Sequence, residues 1–328
     1  MTDDSLIAKL QIASCCKVQN RKKQGAWRSI VDDKPDLTVL LGDNVYTKGW
    51  SYQYLRDQYE EQNAVEDFAH FKDRCFYLAT WDDHDLGPNN SKGGTADAQQ
   101  LGETGIPRRD EARNLFHRYL APKIPDPSKL STVPGQIYCS YKLDKILIIM
   151  LDGRYFREDA KKNPAAQFLG EDQEEWLWEQ FEAAKEQRVL STVVCCGSTI
   201  SSGTTDSESV QDYEEFFARF SSRFKDCPNP VFLSGDIHQN RIRVHDGFLE
   251  IISSGIAQRR RHSNIQYLLT GKNHKNLNNR AAVYIHETHL RVLFHGSDKG
   301  DEVFEFPLSV NLRDHLHLND HTWRNSDG

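Results

Sequence analysis

Short apolar runs alternate with longer polar stretches from the beginning of the chain. Ile12-Ala-Ser-Cys-Cys16, Leu37-Thr-Val-Leu-Leu41 and Phe76-Tyr-Leu-Ala-Thr-Trp81 have the length and continuity of buried strands. Between the last two, the stretch from Tyr52 to Phe71 is polar and free of glycine, which predicts helix. Ile137 to Tyr141 and Ile146 to Leu151, separated by Lys-Leu-Asp-Lys, predict a hairpin. From Glu171 to Glu186 an amphipathic helix is expected, with Leu177, Phe181, Ala184 and Arg188 tracing one stripe beside Trp176. Val193-Val-Cys-Cys196 and Val231-Phe-Leu-Ser234 read as further buried strands. Beyond Arg241 the pattern turns hairpin-like, through Phe248 to Ile252, Ala282 to His286 and Leu290 to Phe294.

This β-α-β rhythm predicts an α/β fold with helices packed on mixed sheets. Glycine and proline are sparse and no linker stands out, so residues 1–310 are expected to form one domain, two sheets thick. The least regular segment runs from Asn90 to Gly105. Residues 311–328, with His315, His317 and His321, read as a solvated tail.

Composition removes some function classes. A net charge of -7 over 328 residues offers no general attraction for nucleic acid or anionic membrane. No apolar run approaches the ~20 residues a membrane helix needs; the longest, Ile146 to Leu151, is strand-sized. The seven cysteines (Cys15, Cys16, Cys75, Cys139, Cys195, Cys196, Cys227) are odd in number and include two adjacent pairs, which is no disulfide framework. Buried thiols in a reducing compartment are expected. No charged-then-apolar leader precedes the first strand, so a cytoplasmic location is expected for the chain as it stands, a trimmed exported form being the alternative. The one sequon, Asn89-Asn90-Ser91, falls inside the richest motif, where a glycan would block the site.

The chemistry lies in where the apolar runs stop. Leu41 runs into Gly42-Asp43-Asn44-Val45-Tyr46, and Trp81 into Asp82-Asp83-His84-Asp85-Leu86-Gly87-Pro88-Asn89-Asn90. Leu151 runs into Asp152-Gly153-Arg154-Tyr155, and Leu233 into Ser234-Gly235-Asp236-Ile237-His238. In open α/β sheets the carboxyl ends of strands line the ligand crevice. Each motif alone has a plainer reading: Gly-Asp-Asn as a turn, Asp-x-Arg as a salt bridge. Four together crowd carboxylates that repel and resist burial as anions. Two cations relieve that repulsion, clamp a phosphate and lower the pKa of a bound water.

The same four motifs, with Ser14-Cys15 closing the first strand, Leu169-Gly-Glu-Asp-Gln173 and Glu250-Ile-Ile-Ser-Ser-Gly255, resemble those of the PhoD-like alkaline phosphatases of the calcineurin-like metallophosphoesterase superfamily. The resemblance runs from about Ile12 to Gly255 and implies a four-layer αββα sandwich with a metal site at the strand C-terminal edge. It places the later hairpins in the second sheet. It implies Cys15 as a thiolate ligand to iron, Asp43 as the metal-bridging carboxylate, and Asp83, Asn90, Asp236 and His238 as further ligands. His84 is expected to protonate the leaving alkoxide or orient the phosphate, and Arg154 to grip phosphate oxygens by bidentate bonds. A soft thiolate beside hard carboxylates itself favours two unlike cations, Fe3+ or Zn2+ with Ca2+, Mg2+ or Mn2+. Cys16 should face the opposite layer and be structural, as should Cys195 and Cys196.

Two departures stand out. Many relatives carry an acid where this chain has Asn90, and no histidine lies on the strand Val193 to Cys196, where the wider superfamily supplies one. The expected function is hydrolysis of small phosphorylated substrates by metal-activated hydroxide, on monoesters, diesters or both. The alternative is a relative that binds phosphorylated ligands or metal without turnover.

Overall fold

The computed structural model describes residues 5–20, 23–201, 208–258, 279–295 and 301–308. In the first sheet the order is β13-β12-β11-β1-β2-β3, formed by β1 (Leu6–Ala13), β2 (Leu37–Leu41), β3 (Tyr77–Thr80), β11 (Arg280–His286), β12 (His289–His295) and β13 (Glu302–Pro307). The second has the order β4-β5-β6-β7-β8-β10-β9, from β4 (Leu130–Thr132), β5 (Cys139–Leu143), β6 (Ile146–Met150), β7 (Ser191–Cys196), β8 (Pro230–Ser234), β9 (Asn240–His245) and β10 (Phe248–Ser253). Both sheets are mixed: β1-β2-β3 run parallel, as do β6-β7-β8-β10, while the hairpins at the edges are antiparallel.

The sheets face each other across a shared apolar layer. Leu10, Ile12, Val39 and Leu41 meet Ile148, Val193, Leu233 and Ile251 there, all buried. Each sheet's other face is covered by helices. On the first lie α1 (Ala26–Asp32), α2 (Tyr52–Asn63), α3 (Glu66–Arg74) and α6 (Arg108–Leu120), around Trp27, Phe68, Phe71 and Phe116. On the second lie α7 (Glu171–Glu186) and α8 (Glu214–Phe224). Phe216, Phe220 and Phe224 recur every fourth residue of α8, forming one stripe that packs against Phe181 of α7 and Phe232 and Phe248 of the sheet. Burial of such a side chain is worth about 1.5–3 kcal/mol, so this stripe fastens α8 to the sheet. Two very short helices, α4 (Asp83–Leu86) and α5 (Ala96–Gln99), lie in the loops after β3. The result is the expected αββα sandwich of two mixed sheets flanked by helices.

Several sequence expectations need correction. β1 begins at Leu6 and ends at Ala13, so Cys15 and Cys16 lie past the strand rather than in it. The Tyr52 to Phe71 helix is two helices, α2 and α3, broken at Ala64-Val65, and Arg188 lies beyond the end of α7. Helices α6 and α8 were not anticipated, although the phenylalanine spacing of α8 is legible. The late hairpins divide: β9 and β10 complete the second sheet, whereas β11 to β13 extend the first through β1. The expected tail, residues 311–328 with its three histidines, lies outside the described residues.

Candidate metal centre

Parallel pairing brings the carboxyl ends of β1, β2, β3, β6 and β8 to one end of the sandwich. Neighbouring strand ends and the two sheets close on each other there. A Cβ at Gly42, where φ is +74°, would lie 2.5 Å from the Asp82 Cβ, and one at Gly235 would lie 2.5 Å from the Leu41 carbonyl oxygen. Only glycine permits either approach. Main-chain bonds stitch the loops: Cys16 N–H donates to Asp43 O at 2.8 Å, and Ala257 N–H to Cys15 O at 3.1 Å.

Cys15, Asp43, Asn90, Asp236 and His238 all have positive φ, between 51° and 65°. They are five of the nine non-glycine residues in that region among the described residues. Such backbone costs about 1–3 kcal/mol per residue and persists where surrounding structure imposes it, commonly at functional sites. Here it lets side chains past the strand ends depart from the alternation of the sheet.

Two donor groups result. In the first, single ligand atoms of Cys15, Asp43 and His238 lie within 4.8 Å of one another; in the second, those of Asp43, Asp83 and His84 do. Asp43 belongs to both. The Cys15 thiol is 3.5 Å from Asp43 Oδ2 and 3.0 Å from Ser254 Oγ, and Ser254 Oγ accepts from the His238 N–H at 2.9 Å. The Tyr46 hydroxyl donates to Asp43 Oδ2 at 2.7 Å and lies 3.1 Å from His238 Nε2, while its ring packs on His84 with centroids 4.3 Å apart. Tyr46 and Ser254 received no role from the sequence, although both stand inside quoted motifs. Five residues past the end of β2, Tyr46 is brought back to the crevice by the turn at Asp43.

Sequence-expected ligands Asn90 and Asp236 fall outside these two groups. Asn90 meets Asp83 through its main chain, whose N–H donates to Asp83 Oδ2 at 2.5 Å. Asp236 adjoins the crevice; its carbonyl accepts from the Cys15 thiol at 3.8 Å.

The remaining acids of the four motifs hold the loops in place. Asp85 accepts from the N–H groups of Asp82 at 3.0 Å and Asn44 at 3.2 Å, and from the Tyr59 hydroxyl at 3.1 Å. Asp152 Oδ1 accepts from Trp81 Nε1 at 2.5 Å and from the N–H groups of Arg154 and Tyr155. Gln173, at the start of α7, clamps that turn by bonding both the N–H and the carbonyl of Asp152. Glu250 ties β10 to its neighbours by accepting from Ser234 Oγ at 3.0 Å and Ile200 N–H at 2.7 Å.

Arg154 requires a correction. Its guanidinium is directed inward, with Nε donating to Asp82 Oδ1 at 2.6 Å, Nη1 to Glu208 and the Ser91 carbonyl, and Nη2 to Ser198. Only 2% of the side chain is exposed, so a direct grip on phosphate does not match its placement while Glu208 is paired to it. The guanidinium charge is used inside the protein, where its loss would leave Asp82 buried and unpaired. Cys16 is buried among the apolar side chains under the first sheet's helices, and Cys195 and Cys196 are in the core, each as expected.

These donors fit a pair of cations. Burial, and then Asp83, Asp82, Asp85 and Asp236, hold the Asp43 carboxyl well above the usual carboxylate range. Burial, and then Asp82 and Asp83, push Asp236 up to about 8. For Asp83 burial is outweighed by His84, Arg154 and the Asn90 N–H, which hold it at about 2. Burial and Asp43 likewise keep the Cys15 thiol protonated. Asp82 Oδ2, Asp83 Oδ1 and His84 Nδ1 are buried with no hydrogen-bond partner. Crowded anions and orphaned acceptors facing one crevice are what a divalent or trivalent cation relieves. Sulfur in the first group suits a softer ion than the oxygen-rich second.

No helix of the described residues is long and apolar enough to cross a membrane. No curated protein sequence matches the chain. Among solved structures it is similar to PhoD, at 16% identity, covering 94% of this chain and 72% of that one with a TM-score of 0.72. A dimetal phosphatase from Danio rerio is similar over 93% of this chain and 100% of that one, at 13% identity and a TM-score of 0.54. GAP50, the anchor in the inner membrane complex of Plasmodium, is similar over 92% and 89%, at 13% identity and a TM-score of 0.55. At these identities the likeness is one of fold. The PhoD-like phosphatase family model, however, matches residues 10–300, a span that contains every strand-end motif described above, and the chain belongs to the PhoD-like phosphatase family.

Proposed function

We propose that this chain hydrolyses esters of small phosphorylated substrates with two metal ions held at the crevice. The observation that carries this reading is the position of Asp43 in both donor groups, which is where a bridging carboxylate belongs. Cys15, Asp43 and His238 would hold one cation, Fe3+ or Zn2+; Asp43, Asp83 and His84 would hold the other, Ca2+, Mg2+ or Mn2+. When bound, such cations supply Lewis acidity and lower the pKa of a coordinated water toward neutrality.

The chain's own residues supply position and proton transfer. Tyr46 holds Asp43 by its hydroxyl and His84 by its ring, fixing two donors with one side chain. His84 is half-buried, and its Nδ1 is free of protein partners. That nitrogen can take a ligand's place on a cation or deliver a proton to a leaving alkoxide, and the two uses exclude each other at one atom. Asp236 and the Asn90 turn complete the wall. Arg154 acts through Asp82 as a positioning residue. The amide at position 90 weighs little against turnover, because its contact to Asp83 is a main-chain one that any non-proline residue supplies.

Metal analysis of purified protein, paired with rates on para-nitrophenyl phosphate and on its bis ester, tests this reading. Two cations per chain and turnover of at least one substrate are expected, and the ratio of rates assigns monoester or diester preference. Metal-replete protein that turns over neither would make the chain a binder of phosphorylated ligands.

A further inference from the structure

A cluster of positive charge adjoins the crevice, and beyond the hold of Arg154 on Asp82 it has no part in the reading above. Arg154 and Arg157 lie in the turn after β6, their side chains 2% and 0% exposed. Lys92, 12% exposed, comes from the loop after β3. All three converge on Glu208. Arg154 Nη1 is 3.2 Å and Arg157 Nη1 3.5 Å from Glu208 Oε2, and Lys92 Nζ pairs with Oε1. Glu208 is 9% exposed, so it and Lys92 lie on the solvent side of the two arginines.

Glu208 is the carboxylate that all three cations share; Arg154 also pairs with Asp82, its charge reaches Asp83, that of both arginines reaches Asp236, and Asp159 lies at the periphery, 4.0 Å from Lys92. A second observation shows that Glu208 fills this place incompletely. Arg157 Nε and Nη1 are buried and make no hydrogen bond, while Nη2 donates to Ser198 Oγ at 2.8 Å. A carboxylate brings two oxygens and one charge. A phosphoryl group brings three oxygens and up to two charges, which suits two guanidinium forks and an ammonium better. The cluster also adjoins the metal crevice: Arg154 donates to the Ser91 carbonyl at 3.2 Å and Lys92 to the Asn90 carbonyl at 3.3 Å, beside the Asn90 N–H that holds Asp83.

We propose that Lys92, Arg154 and Arg157 form an oxyanion subsite next to the metal crevice, occupied by Glu208 as an internal stand-in, and that it takes a second phosphoryl group of the substrate when that carboxylate withdraws. That the incoming group belongs to a substrate rests on the proposed hydrolysis; the cluster's preference for an oxyanion does not. Glu208 then acts as a selectivity device. Substrates with one phosphoryl group leave it in place, and those with two displace it.

The test is calorimetric titration of metal-replete protein with inorganic phosphate, for wild type, Glu208→Gln and the double variant Glu208→Gln/Arg157→Gln. Glu208→Gln, nearly isosteric but uncharged, is expected to bind one phosphate more per chain than wild type, and the double variant to lose that extra phosphate. Equal stoichiometry and affinity in wild type and Glu208→Gln would overturn the proposal and leave Glu208 as a counterion to the arginines. If Glu208→Gln is too unstable to titrate, its melting temperature with and without phosphate decides: recovery toward wild type supports the subsite, and no recovery rejects it. Absence of turnover alongside the extra phosphate would sink the hydrolysis reading and keep the subsite.

Discussion

The Tyr46 hydroxyl donates to Asp43 Oδ2 at 2.7 Å and sits 3.1 Å from His238 Nε2, so one phenol touches two members of the sulfur-containing donor group. Partners that orient metal ligands in this way are worth about 10- to 100-fold in metal affinity or activity. Tyr46→Phe keeps the ring against His84 and removes the hydroxyl. It is expected to weaken metal binding or turnover by that factor with little change in melting temperature. Unchanged metal titrations and rates would reduce Tyr46 to a packing residue.

Asp43→Asn is expected to abolish nearly all activity while the fold, followed by circular dichroism, stays intact. The amide preserves shape but lacks the charge to serve two cations. Retention of more than about a tenth of the wild-type rate, a loss under ~1.4 kcal/mol, would exclude the bridging role.

Cys15 and Cys16 are adjacent but face different environments: one meets Asp43 and Ser254, the other the apolar layer under the helices. With a ferric ion bound, a Cys15 thiolate is expected to give a visible charge-transfer band. Cys15→Ser should bleach it and cost one cation per chain, whereas Cys16→Ser should alter stability alone. Equal metal content in wild type and both variants would point to a carboxylate-only site.

Chelation should reveal the crowded carboxylates. Asp236, raised to about 8 by burial and its acidic neighbours, binds its proton more tightly in the folded chain than in the unfolded one. Between about pH 4 and pH 8 the metal-free fold therefore holds more protons than the unfolded chain, and its stability falls as pH rises. Asp43, raised in the same direction, adds to the slope. Melting curves after metal removal should drop across this window, and metal should flatten them. Identical pH profiles with and without metal would show that no cation compensates these acids.

Arg154→Ala is expected to lower stability by about 3–5 kcal/mol, because it strands the buried Asp82 and Glu208 without their partner. A variant as stable as wild type but weaker in substrate binding would restore the direct phosphate grip.

The strands and their terminal motifs were legible because their signals are local. Continuous apolar runs such as Leu37–Leu41 can only be buried, and acids clustered at several run ends imply a shared counter-charge. The chemistry of the donors, sulfur, nitrogen and oxygen together, was likewise written in residue types. Tertiary structure alone decided which acids face the crevice. Asp85 and Asp152 are turned to main-chain N–H groups, while positive φ at Cys15, Asp43 and His238 directs those side chains to one another. It also decided the partner of Arg154, since Glu208 is 54 residues away along the chain and Asp82 lies 72 residues before it. Periodicity records whether a position is buried. Which buried charge meets which depends on how two sheets stack, and no window of sequence contains both.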